Sequence, residues 1–167
     1  MSQTTTSPAP TTRRAPSAAA VVGGAIGLST GVQLAVFGIG MVVASDHEIN
    51  RDEGIKDSLV SVSVVAAVAL AVGFGIALAT HRSSSRSRIG AIVLGALSVL
   101  SVPVFWAGAP AVFGSLAAWL GGLTRNGRPH TGAARAFGVI GLVVAVLNVL
   151  AILVLTLGSV LIDGFSD

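Results

Sequence analysis

The chain of 167 residues has no cysteine, and only 10% of its residues are Asp, Glu, Lys or Arg. The first absence excludes disulfides, thiolate nucleophiles and cysteine-ligated metals. The second excludes an ordinary water-facing surface, which draws on roughly 25% charged residues. None of the long apolar runs contains an Asp, Glu, Lys or Arg, so charge relays and proton-coupled steps across them have no groups to use. Histidine is scarce too. His47, His81 and His130 lie in three separate polar segments, and the topology argued below sets His47 opposite the other two, so no metal centre and no cofactor is expected.

What is present is apolar: hydrophobic residues make up 53% of the chain. The formal net charge of +3 comes from arginines in short clusters between apolar runs, a pattern that points away from a nucleic-acid patch and toward membrane anchoring. Residues 1–17 are Ser-, Thr-, Pro- and Ala-rich, cannot repay ordering entropy, and are expected to form a disordered cytoplasmic tail. The Val42-Val43-Ala44 tripeptide before Ser45 resembles a signal cleavage site. The run preceding it is far longer than the roughly 7 to 15 residues of a signal core, however, so an uncleaved helix is the reading adopted.

The expected fold is all-α, a polytopic transmembrane helical bundle. Helices are predicted at about 18–44, 59–80, 89–103, 109–123 and 136–162, followed by a short acidic tail over 163–167. The third run, from Ile89 to Leu123, is too long for one crossing and short for two. Pro103 and Pro110 bracket Trp106, an interface-preferring side chain, and the arrangement reads as a helical hairpin. Five spans with a cytoplasmic N-terminus put Arg13, Arg14, Arg82, Arg86, Arg88, Arg125, Arg128 and Arg135 on one side, where they would anchor to anionic headgroups. The alternative of four spans, with one long third helix, sends the segment containing Arg125, Arg128 and Arg135 across.

In hydrocarbon, helices pair through close contact, so small residues at four-residue spacing mark packing faces. Candidates are Gly23, Gly27 and Gly31 in the first helix, and Ala69, Gly73 and Ala77 in the second. Ala91 and Gly95 follow in the third, and Gly141 and Ala145 in the last. Packing within the bundle is the plain expectation for these faces, and a homodimer through the Gly23–Gly31 stripe is its competitor. Two amides, Gln33 and Asn148, fall near the centres of the first and last runs and should hydrogen-bond, Gln33 with Asn148 being one pairing.

The GGAIGLSTG stretch lacks the lysine of a phosphate loop and sits in an apolar helix. Ser98, Ser101 and Ser159 have no His or carboxylate near them in sequence, and the acidic segment 45–58 matches no calcium loop and reads as a solvated extracytoplasmic connector.

From Arg88 onward the chain resembles a family of small multi-pass membrane proteins, common in actinobacteria, that has no assigned function. The resemblance rests on the Gly-rich helix RIGAIVLGALSVLSV, a Pro-containing turn, a second helix GSLAAWLGGL, the basic segment TRNGRPHTGAARA and a last helix opening FGVIGLVV. It covers roughly the last 80 residues, and it implies two close-packed helices before the basic segment but no catalytic or binding residue. The last helix is longer and more apolar than that family's, and the first two helices are additional. The expected function is therefore that of a non-enzymatic plasma-membrane component, structural, scaffold or accessory. It would act through helix–helix contacts with a membrane-protein partner or a second copy, with membrane lipids, anionic headgroups among them, at its arginine clusters. The alternative is a small channel or transporter subunit using Gln33 and Asn148.

Overall fold

The computed structural model describes residues 17–31, 34–35, 52–123 and 130–163, and the described residues are helical apart from short turns. Helix α1 spans Ala18–Ile26 and runs into a π-helical turn, Gly27–Gly31. Helices α2 (Asp52–Thr80), α3 (Ser84–Leu100), α4 (Ala109–Leu120) and α5 (Ala133–Asp163) follow, with a 3-10 segment, Val102–Ala107, between α3 and α4. The run from Ile89 to Leu123 is thus a broken hairpin and not one long helix. Helix α2 begins seven residues before the expected Leu59: residues 52–58 contain no proline, and the helix formed by the apolar part extends through Gly54. The expected segments 1–16, 36–44 and 164–167 lie outside the described residues, as do Arg13, Arg14, Gln33, Arg125 and Arg128.

Local chemistry sets each boundary. The Ser17 hydroxyl accepts from the Ala20 amide at 3.2 Å and opens α1, and Ser83 accepts from Arg86 at 3.3 Å and opens α3. At the end of α4 the Leu123 amide bonds Ala118 O and the Gly122 amide bonds Trp119 O, with Gly122 left-handed at φ +80°. That pair of bonds is a Schellman cap, and glycine is the residue it calls for.

The core of the molecule is α4. Its residues Ala109 to Ala118 are all buried, and only Trp119 on this helix is partly exposed. The other helices offer it one small-residue stripe each. Helix α2 presents Val62, Ala66, Ala69, Gly73 and Ala77, and α5 presents Ala134, Gly138, Gly141, Ala145, Asn148 and Ile152. Steps alternating between three and four residues keep one face inward from Ala134 to Ile152. A Cβ on Gly114 would strike the Gly141 carbonyl, one on Gly73 would lie 2.9 Å from the Leu116 side chain, and one on Gly95 would lie 2.6 Å from Phe137 O. The expected packing residues Ala69, Gly73, Ala77, Ala91, Gly95, Gly141 and Ala145 are therefore at helix contacts.

The first stripe is different. Gly23 and Gly27 are exposed with open space where a Cβ would stand, and Gly31 meets only its own helix. As packing positions within the described chain they are corrected: α1 turns Val22, Ser29 and Thr30 to the bundle instead, and the glycines lie on the neighbouring face.

Two helices are long and apolar enough to span a membrane, over Val60–Thr80 with mean hydropathy 2.5 and Ala133–Gly158 with 2.9. Only 22% and 28% of the residues in their most apolar stretches are buried, so these are not core helices of the bundle. Their outer faces carry Val64, Val68, Val72, Val143, Val146 and Leu150, all well exposed. The legs of the hairpin are shorter: α4 rises about 18 Å, and the apolar part of α3 from Ile89 rises about the same.

Candidate functional site

A broken helix loses part of its regular amide-to-carbonyl ladder, and side chains can donate to the carbonyls at the break, including Phe105 O, which also accepts from the Gly108 amide at 3.0 Å. Between Ser101 and Gly108 the chain contains Pro103, which carries no amide hydrogen, non-helical backbone at Val104, and Gly108 at φ +73°. Three side chains from three elements close on this break. Thr30 Oγ1 donates to Ala107 O at 3.0 Å, Ser98 Oγ donates to Pro110 O at 3.2 Å, and Asn148 Nδ2 donates to Phe105 O at 2.9 Å. Thr30, Ser98 and Asn148 are all buried. Gly108 is required twice over, by its left-handed backbone and because a Cβ there would collide with the Thr30 and Ser29 hydroxyls.

The π-helical turn brings Thr30 to this place. Ser29 Oγ bonds back to Ala25 O at 2.6 Å, and the flanking Gly27 and Gly31 give little side-chain support to an α-helical register. One widened turn rotates the following residues about the axis and delivers the Thr30 hydroxyl to Ala107.

Asn148 was expected to form a packing hydrogen bond, and it does so, with the Phe105 carbonyl. The orientation of its amide is fixed by chemistry: a carbonyl only accepts, so the nitrogen faces Phe105 and Oδ1 faces away. Oδ1 is buried and has no hydrogen-bond partner among the described residues. Asn148 also lines a cleft of about 570 Å³, walled by Phe105 and Val102 of the break and by Leu147, Ala151 and Leu155 of α5. Apart from Asn148 the named wall is apolar.

A second polar group sits at the opposite end of the hairpin. Ser87 Oγ donates to Leu120 O at 2.8 Å, which ties the start of α3 to the end of α4, and lies 3.2 Å from His130 Nε2. With its one proton committed to Leu120, Ser87 must accept from His130, so Nε2 carries the hydrogen. A serine engaged in this way is held as an acceptor and is not poised as a nucleophile. His81 bonds Leu78 O through Nδ1 at 2.9 Å and lies near the Trp119 ring. Around this end Arg82, Arg86, Arg88 and Arg135 are exposed. Arg86 and Arg88 occupy the first turns of α3, where the helix dipole disfavours cations by a few tenths of a kcal/mol. Their position answers to something other than helix stability.

Among the described residues no group of three or more His, Asp or Glu converges as a metal site. Sequence reasoning found Asn148, Pro103 and Pro110 but missed Thr30, whose only signal was a hydroxyl pair within a glycine-rich helix. It also missed the Ser87–His130 contact, which joins residues 43 apart in the chain. Compared with family models, with curated proteins and with solved structures, the chain matches none.

Proposed function

We propose that this chain is an integral, multi-pass protein of the plasma membrane and a non-enzymatic component that acts through its intramembrane surfaces as a scaffold or accessory subunit. The observation that carries the reading is the apolar outer face of α2 and α5, set against a core in which polar groups serve to tie backbone breaks. In water an apolar face of this extent would drive aggregation, whereas lipid tails solvate it.

In this reading the basic end, with Arg82, Arg86, Arg88 and Arg135, faces the cytoplasm and anionic headgroups. Helices α2 and α5 cross, and the first apolar run, residues 18–44, is read as the third crossing. The α3–α4 hairpin enters from the cytoplasmic side and turns back near the bilayer centre, because legs of about 18 Å fall short of a hydrocarbon core of about 30 Å. Irregular backbone at that depth is tolerated where protein covers it, and α4 is enclosed by the other helices. An entering hairpin and two full crossings return the chain to the same side, so the sidedness of every basic cluster matches that of five spans, while four spans move Arg125, Arg128 and Arg135 to the opposite side.

The channel alternative has less support. The bundle centre is filled by Ala111, Val112, Leu116 and Ala117, and Asn148 is bonded to backbone. Partner contact is the better use of the exposed Gly23–Gly27 face. A Cβ at Gly27 meets no atom within 4 Å among the described residues, so Gly27→Leu should leave thermal stability nearly unchanged while reducing the size of the complex extracted from membranes. Complexes of unchanged size in both Gly23→Leu and Gly27→Leu would overturn the scaffold reading.

A further inference from the structure

We infer that the cleft between the helical break and α5 is a binding site for a neutral, mostly apolar molecule bearing a single hydroxyl, of the fatty or isoprenoid alcohol type. The inference rests on the membrane placement proposed above. Its carrying observation is Asn148, which is 6% exposed and lines the cleft, and whose buried Oδ1 has no donor among the described residues. An orphaned acceptor in an apolar setting costs free energy that a ligand donor recovers.

The wall chemistry selects the rest of the ligand. Phe105, Leu147 and Leu155 offer apolar contact, and the wall holds neither cation nor carboxylate, so a phosphate or ammonium headgroup would find no counter-charge. A volume of about 570 Å³ is that of a small-molecule site, one with an apolar lining and few polar groups. A partner helix is a poorer fit. Helices approach closely over small residues, whereas this wall is built from large side chains around a hollow. Depth agrees as well, since Asn148 stands about 18 Å along α5 from Ala136, near the bilayer centre, where a neutral alcohol can reside and a charged lipid head cannot. Oδ1 is itself buried, so its capture takes a rotamer change in the side chains that cover it.

The test uses the full chain in phosphatidylcholine nanodiscs with a diazirine-tagged isoprenoid alcohol and, in parallel, its methyl ether, which fills the same space but donates nothing. Mass spectrometry locates the photoproducts. The alcohol should label residues 144–155 about tenfold more than the ether, the factor that one recovered buried hydrogen bond supplies. Asn148→Leu should reduce the alcohol to the ether's level. Ala151→Phe, which touches none of the three bonds at the break, should abolish labelling by both. Equal labelling by alcohol and ether, labelling indifferent to Ala151→Phe, or cross-links from 144–155 to a second copy would each overturn the inference. Where the protein is recovered from membranes and the alcohol shows no preference, the cleft proposal falls and the membrane reading stands. A chain recovered as a monodisperse monomer in detergent-free buffer overturns both.

Discussion

At Gly114 and Gly141 two helix backbones touch, and a methyl group on the first would collide with the carbonyl of the second. Neither helix can retreat, because α4 is held on its other sides by α2 and α3. Gly114→Leu and Gly141→Leu should therefore cost at least about 3 kcal/mol, the upper end for overpacking, read as a fall in thermal midpoint in detergent. Gly27→Leu should stay within about 0.5 kcal/mol, as expected of a surface change away from packed features. Sequence spacing marks Gly27 and Gly141 alike, and only the direction in which each helix turns its face separates them. The polar ties are weaker than the packing. Thr30→Val and Asn148→Leu should each cost about 0.6 to 1.7 kcal/mol, the range for interhelical hydrogen bonds in membrane proteins. Both hold the same segment, so the double variant should depart from additivity in a thermodynamic cycle. Strict additivity would mean that the two bonds do not share one element.

At the scale of elements, the hairpin is the feature that organises the rest. Its two prolines and its length made it legible in the sequence, as did the small-residue stripes of α2, α3 and α5, because steps of three and four residues translate directly into a helix face. The π-helical turn after Ile26 was not legible. It arises where a serine bonds back to its own helix while a neighbouring threonine is drawn to a distant carbonyl, and neither local propensity nor periodicity encodes that partner. The same holds for Ser87, which ties α3 to α4 across 33 residues of chain. Because the chain has no native cysteine, single cysteines report sidedness cleanly. Ser85→Cys and Thr131→Cys should both react with an impermeant maleimide from the same face of sealed vesicles. Reaction from opposite faces would mean that the hairpin legs do not begin and end together.

At the scale of the whole molecule, a short helix enclosed except at Trp119 stands beside two long helices whose outer faces are apolar. Such an inside-out distribution, small residues within and large aliphatic residues without, is the arrangement that lipid permits and water opposes. The composition announces it, since so few charges cannot cover a soluble surface. What composition does not announce is depth: in the proposed placement the length of α4, its tie to Ser98 and the tie of the 3-10 segment to Asn148 set how far the hairpin reaches. The most direct measurement is therefore the depth of a spin label at Val102→Cys, a site 48% exposed beside the break, in reconstituted bilayers. The account predicts high accessibility to oxygen, exclusion of a water-soluble nickel complex, and a position about 15 Å from either edge of the hydrocarbon core. A label at headgroup depth would contradict the half-depth hairpin in favour of two complete crossings, and a label freely reached by nickel on all sides would contradict the membrane itself.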